Sequence, residues 1–212
     1  MAEGINRIVS YSSEMTRKRI MECAQQEFME HGYQGASMRR IAAEAKVTTG
    51  AMYNHFSNKA VLFDELVQEP AKEMLATFQA IHDQAIEGLH GDSIDGLGDK
   101  ASDGSDWMLD YIYSHVDAFR LIFCRSEGTQ WAEYIDRLAE IEEKAHRVYY
   151  DAIGVDSKSI DSFFVHVSSS LVFQYFSEML AHDLPYERAV AVMDNVKRHN
   201  MAGWSELLGR EI

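Results

Sequence analysis

Apolar residues recur at three- and four-residue intervals along most of this chain, the spacing that one buried face of an α-helix requires. Ile20, Cys23, Ala24, Phe28 and Met29 form the first such stripe; Ser12 or Ser13 is placed to cap it, and His31-Gly32 to end it. Ser37 precedes Met38, Ile41, Ala42 and Ala45, Lys46-Val47 makes a turn, and Thr48 precedes Ala51, Met52 and Tyr53. Two short capped helices are predicted there. A longer stripe starts after Ser57 or Asn58 and runs from Leu62 to Ile81, with Pro70 inside it, where a kink or a division in two is expected.

Between Gly88 and Asp106 the periodicity fails, because five Gly and five Asp fall in that stretch; it reads as a loop. Helical stripes resume over Trp107–Cys124, Gly128–Ile153 and Ser157–His182, and Pro185 opens a last one that reaches Leu208. The run from Ser157 is apolar on nearly every side, which predicts burial on all sides, in a chain this size against a partner subunit. No alternating β-branched run and no Asn-Gly hairpin interrupts the pattern, so the fold class is all-α.

Composition changes this picture little: 46% hydrophobic and 25% charged residues are ordinary for a globular chain. Charge changes it more. Residues 1–60 hold eight basic and six acidic side chains, whereas the remaining 152 hold 12 basic and 28 acidic ones. Phosphate neutralisation supplies most non-specific affinity for DNA. The acidic excess therefore permits nucleic-acid binding only at the amino-terminal end. Cys23 and Cys124 make no disulfide framework, and the first residues lack the apolar core of a signal peptide. A reduced, cytoplasmic setting is expected, with no membrane span.

Residues 37–55, SMRRIAAEAKVTTGAMYNH, have helix-turn-helix form, with Ser37 and Thr48 expected to cap the two helices through their hydroxyls. The run from Ser37 to Ala42, then Ala45, Val47 to Gly50, Tyr53 to Phe56, Lys59 and Leu62, closely resembles the amino-terminal domain of TetR-family transcriptional regulators. Thr16, Ile20, Ala24, Phe28 and Gly32-Tyr33 resemble that family's first helix. The resemblance implies a homodimeric, ligand-responsive, usually repressing protein on a palindromic double-stranded DNA operator. It implies phosphate contacts from Thr16 or Arg17 and from Ser37, and a backbone or base contact from Arg39. Thr48, Thr49, Gly50, Tyr53 and His55 would line the recognition helix, and Lys59 would clamp a flanking phosphate. Between Val47 and His55 there is no Arg or Lys, the commonest readers of guanine, leaving Thr49, Ala51 and Asn54 for base edges.

On this reading the chain divides into a DNA-binding head, residues 1–58, and an effector and dimerisation domain, residues 59–212, whose last two helices form a four-helix interface. Aromatic and polar residues interleave in the second domain. Trp107, Tyr111, His115, Phe119, Trp131, Tyr134, His146, Phe163, His166 and Phe173 are candidates for a pocket that takes an apolar or aromatic effector. Metal sites and cofactors are not expected: no H-x-x-x-H occurs, and the Asp series at 92, 95, 99, 103 and 106 lacks the spacing of a calcium loop. No nucleophile motif suggests catalysis. The alternative reading is a helical interaction protein that keeps the head and answers to a protein partner.

Overall fold

The computed structural model describes residues 2–88, 97–152, 154–156 and 159–209. Among them all regular structure is helical: α1 (Ala2–Gly35), α2 (Met38–Glu44), α3 (Thr49–His55), α4 (Lys59–Gly88), α5 (Leu97–Ser114), α6 (Val116–Arg125), α7 (Tyr134–Ala152), α8 (Ser162–Ala181) and α9 (Tyr186–Leu208).

Several boundaries differ from those expected. α1 starts at Ala2, so Ser12 lies inside it and its carbonyl accepts the Thr16 hydroxyl at 2.9 Å. Gly32 breaks α1 with φ 65° and ψ 172°, a backbone that a side chain would resist, so the expected stop is present as a kink. α4 continues through Pro70 without division. The expected loop over 88–106 is helical from Leu97 onward, and residues 89–96 lie outside the described residues. Tertiary contact outweighs the poor propensity of this stretch: a Cβ on Gly104 would stand 3.6 Å from Ile81 Cγ2 of α4. α7 begins at Tyr134 rather than Gly128. Before it, the Ser126 carbonyl accepts both the amide and the hydroxyl of Thr129, making turns instead of helix.

The chain forms two compact units. One comprises Met1–Glu69 and Arg120–Ala132; the other comprises Pro70–Phe119 and Glu133–Ile212. Relative to a division at 58/59, residues 59–69 and 120–132 go with the head.

The first unit is organised around Ile20, Phe28, Ile41, Met52, Phe56 and Phe63, each at most 1% exposed. Burying side chains of this kind contributes about 1.5–3 kcal/mol each. Phe63 meets Phe28 and Tyr33 edge-on, at 5.0 and 5.4 Å between ring centres. The segment 120–132 is tied in by polar contacts: Arg125 Nε donates to the Met29 carbonyl, and Trp131 Nε1 and Gln130 Nε2 donate to Asp64.

In the second unit α7 packs along α8, with Tyr134, Leu138, Tyr150, Phe173 and Phe176 buried. The Tyr134 hydroxyl donates to the Ala71 carbonyl at 2.7 Å, and that of Tyr113 to the Leu184 carbonyl at 2.8 Å. No helix of the described residues is long and apolar enough to cross a membrane.

Candidate nucleic-acid interface and effector cavity

The head presents α3 by burying its other side. Met52, in the middle of α3, and Phe56, at its end, are inaccessible, while Thr48, Thr49, Gly50, Tyr53 and Asn54 are exposed and His55 is half-buried. The Thr48 hydroxyl accepts the Ala51 amide at 3.1 Å, as its position ahead of α3 predicts. A Cβ added to Gly50 would meet nothing within 4 Å, so no packing in this chain requires a glycine there.

Ser37 departs from expectation, because its side chain makes no capping bond. Its amide instead donates to Glu27 Oε1 at 2.8 Å, and the same oxygen accepts Arg40 Nε at 2.8 Å. Arg40 also donates to the Gly35 carbonyl. Glu27 therefore ties α1 to the start of α2. Burial alone would raise its pKa, but the bonds from Arg40 and Ser37 outweigh that and hold the carboxyl below its ordinary value. Sequence reading passed over Glu27 because it sits between Ala24 and Phe28 on α1 and finds partners ten and thirteen residues away. Of the adjacent arginines, Arg40 is committed to this contact, while Arg39 is exposed.

Two expected phosphate ligands are engaged inside the head. Lys59 Nζ donates to the carbonyls of Tyr33, Gln34 and Ala36 at 2.6, 3.2 and 3.2 Å and lies 4.6 Å from the Tyr33 ring centre. It closes the carboxyl end of α1, where carbonyls lack helical partners and a cation is favoured. Arg17 bridges Glu65 at 2.6 Å and covers Phe56 at 5.0 Å. Thr16 is half-buried.

The second unit contains a cavity of about 280 Å³ between α4, α5, α7, α8 and α9. Of the ten expected lining residues it includes His146 and Phe173. The other eight are placed elsewhere. Trp107 stacks on Tyr111 along α5, and Tyr111 also meets the tilted ring of His115 just beyond that helix, lies against Phe119 and donates to Glu73. Tyr134 is core, and Trp131 packs in the other unit. Phe163 is 72% exposed, and His166 approaches Glu143 at 3.5 Å. Periodicity identifies apolar faces but not which faces converge. The walls come instead from Phe78 and Ile81 of α4, Met108 of α5, Val172 and Phe176 of α8, and Met193 and Trp204 of α9.

One polar cluster interrupts this wall. His82 Nε2 lies 2.7 Å from Glu142 Oε2, His82 Nδ1 lies 3.1 Å from the Phe78 carbonyl, and His146 Nε2 lies 3.4 Å from Glu142 Oε1. Both nitrogens of His82 face oxygens that accept from it, so the imidazolium is the form that satisfies them. Burial works against that charge, but Glu142 outweighs it and raises the His82 pKa; Glu142 in turn is held low despite its own burial. Burial pushes the Tyr150 hydroxyl up, and its oxygen has no hydrogen-bond partner among the described residues. Among the described residues no group of three or more His, Cys, Asp or Glu is arranged to hold a metal ion.

Residues 20–66 match the family model for bacterial regulatory proteins of the tetR family. The chain is 34% identical over 135 residues to the HTH-type transcriptional repressor SCO4008 of Streptomyces coelicolor, a match covering 63% of this chain and 58% of that protein. It is 27% identical over 195 residues to the probable acrEF/envCD operon repressor of Escherichia coli, covering 86% of each. Among solved structures, the TetR-family regulator PfmR of Thermus thermophilus superposes with a TM-score of 0.53 at 21% identity, covering 85% of this chain and 97% of that one; it has the same fold. The head's exposed α3, the helical second unit and these likenesses agree: residues 20–66 form a head of the kind found in bacterial regulatory proteins of the tetR family, and the chain as a whole is similar to transcriptional repressors and shares the fold of TetR-family regulators.

Proposed function

We propose that this chain is a transcriptional repressor that binds a palindromic operator as a homodimer and leaves it when a small molecule occupies the cavity of the second unit. The observation that carries the reading is the outward side of α3, where Thr49, Gly50, Tyr53 and Asn54 are exposed on a helix fixed by the buried Met52 and Phe56. A helix so held fits the major groove. Thr48, Tyr53 and His55 serve the backbone, Thr49 and Asn54 serve base edges, and Arg39 supplies the cation that Arg17 and Lys59 do not.

Dimerisation is supported by α8. Its inner face is buried, yet Phe163, Phe164, Val167, Leu171 and Tyr175 are 72, 45, 38, 53 and 39% exposed. An apolar stripe of this length is ordinarily covered. A second α8 and α9 across a two-fold axis would cover it and set two recognition helices about 34–36 Å apart, one turn of DNA. The chain passes between its two units at Glu69-Pro70 within α4, at Phe119-Arg120 within α6 and at Ala132-Glu133; of these α4 alone also lines the cavity, which makes it the element we assign to carry occupancy of the cavity to the head. Release requires that the effector favour the state that does not bind DNA.

Light scattering combined with operator binding tests the reading. The wild type should be a dimer at micromolar concentration, and Leu171→Glu should be a folded monomer that has lost most operator affinity. A monomeric wild type that still binds its operator specifically would refute the dimer.

A further inference from the structure

The pairing of charges on the cavity wall restricts the class of effector; this rests on the cavity being the effector site. Among the described residues the acidic and basic side chains of the wall are His82, Glu142, His146 and Lys197. Glu142 engages two of the others, one carboxylate oxygen lying 2.7 Å from His82 Nε2 and the other 3.4 Å from His146 Nε2. Lys197 is ion-paired with Asp106 of α5, which stands outside the wall, and makes further interactions. Each of these groups is therefore matched within the protein before a ligand arrives.

An ionised ligand would meet no charge left open to it. An anion could take Lys197 only in competition with Asp106, and a cation could take Glu142 only by displacing an imidazole. Removing an ion from water without a partner, or breaking an enclosed pair to supply one, is costly. The field of the domain adds to that cost for an anion, since residues 61–212 carry 28 acidic and 12 basic side chains.

What the wall offers instead is uncharged. Asn200 lies on the inner stripe of α9 and is half-buried, with an amide that can both donate and accept. Ser168 of α8 adds a half-buried hydroxyl. The surfaces around them are apolar and largely aromatic. Phe78 meets Phe173 edge-on at 5.7 Å between ring centres, and Trp204 lies 5.3 Å from the His146 ring. Met108 and Met193, unbranched and adaptable, complete that lining.

We infer that the effector is an uncharged, mostly apolar molecule, a single ring or medium chain bearing one neutral amide or alcohol group that is met by Asn200 and Ser168. A wholly apolar molecule would leave both side chains facing hydrocarbon. The volume of about 280 Å³ lies just below the ~300–1,000 Å³ usual for ligand sites and suits a body of that size.

The test uses the full chain and five probes of one shape: 4-phenylbutanamide, 4-phenylbutan-1-ol, butylbenzene, 4-phenylbutanoate and 4-phenylbutylamine. Binding is read by titration calorimetry at about pH 7.5, where the acid and the amine are both ionised. The amide and the alcohol should bind roughly tenfold or more tightly than either ion, and about fivefold more tightly than butylbenzene. In Asn200→Leu the margin of the amide over butylbenzene should disappear; because it is a ratio within one folded preparation, a general loss of stability does not produce it.

Tightest binding by the acid or the amine, or an amide margin unchanged in Asn200→Leu, overturns the neutral assignment and leaves the cavity standing as the effector site. Amide binding that persists in folded Val172→Trp, where the cavity is filled, overturns the site itself. Failure of both the amide and the alcohol to bind at millimolar concentration overturns the inference.

Discussion

Replacing Gly50 by Ala separates what the fold asks of this residue from what DNA asks. Gly50 lies in the first turn of α3 with ordinary helical backbone, and an added Cβ meets nothing within 4 Å. Alanine is favoured over glycine in a helix by up to ~1 kcal/mol, chiefly because glycine loses more backbone freedom on folding. Near a helix terminus the lower part of that range applies, so Gly50→Ala should stabilise the protein by about 0.5 kcal/mol. For a chain of this length that raises Tm by roughly 1–2 °C. On the proposed reading the methyl would stand where the helix approaches the DNA backbone most closely, and operator affinity should fall by about tenfold, or ~1.4 kcal/mol. Thermal unfolding by circular dichroism and anisotropy on labelled operator read the two quantities from one preparation. Opposite signs are the expected result. A stabilised variant with unchanged operator affinity would mean that close approach to DNA is not what keeps a glycine here, and a lowered Tm would contradict the helical geometry assigned to α3.

Other substitutions test the remaining parts of the account. Lys59→Met keeps the apolar stem but removes three hydrogen bonds to α1; it should cost about 1–3 kcal/mol in urea unfolding, and lost operator affinity with unchanged stability would make Lys59 a phosphate ligand instead. Glu27→Gln should destabilise by a similar ~1–3 kcal/mol at neutral pH. Because the folded-state pKa of Glu27 is lowered, its contribution is full above its unfolded value and is lost as pH falls through the folded one. The difference between wild type and Glu27→Gln should therefore shrink on acidification; a difference independent of pH would exclude the charge as its source. Pro70→Ala restores an amide to the interior of α4, where proline is ~3 kcal/mol less favourable than alanine. It should stabilise α4 and blunt effector-induced release, and full induction in that variant would remove Pro70 from the transmitting path.

The head was legible because its determinants are local. Stripes such as Ile20, Ala24 and Phe28, or Ile41 and Ala42, lie within single helices, and Thr48 caps the helix that follows it. Ser37 shows the limit: a residue suited to capping lost that role to Glu27, which no local pattern links to it. The contacts of Lys59 were hidden for the same reason, since its carbonyl partners lie more than twenty residues upstream. The cavity depends wholly on such distant convergence. His82 and Glu142 are sixty residues apart, and α9's inner stripe looks in sequence like plain core apart from Lys197 and Asn200. Phe163 illustrates the converse, an aromatic whose hydrophobicity belongs to an outer face. The helix over 97–106 was hidden because its glycines and aspartates disfavour helix, while contacts such as that of Asp106 with Lys197 are invisible in one dimension.

The most direct test of the central claim is fluorescence anisotropy of the full chain on the DNA upstream of its own gene, beside a scrambled duplex, across a salt series. Specific binding that weakens steeply with salt and is lost in Tyr53→Ala, an exposed position whose loss leaves the core intact, is the predicted result. Equal affinity for both duplexes, unchanged by Tyr53→Ala, would contradict the assignment of α3 as the DNA-reading helix.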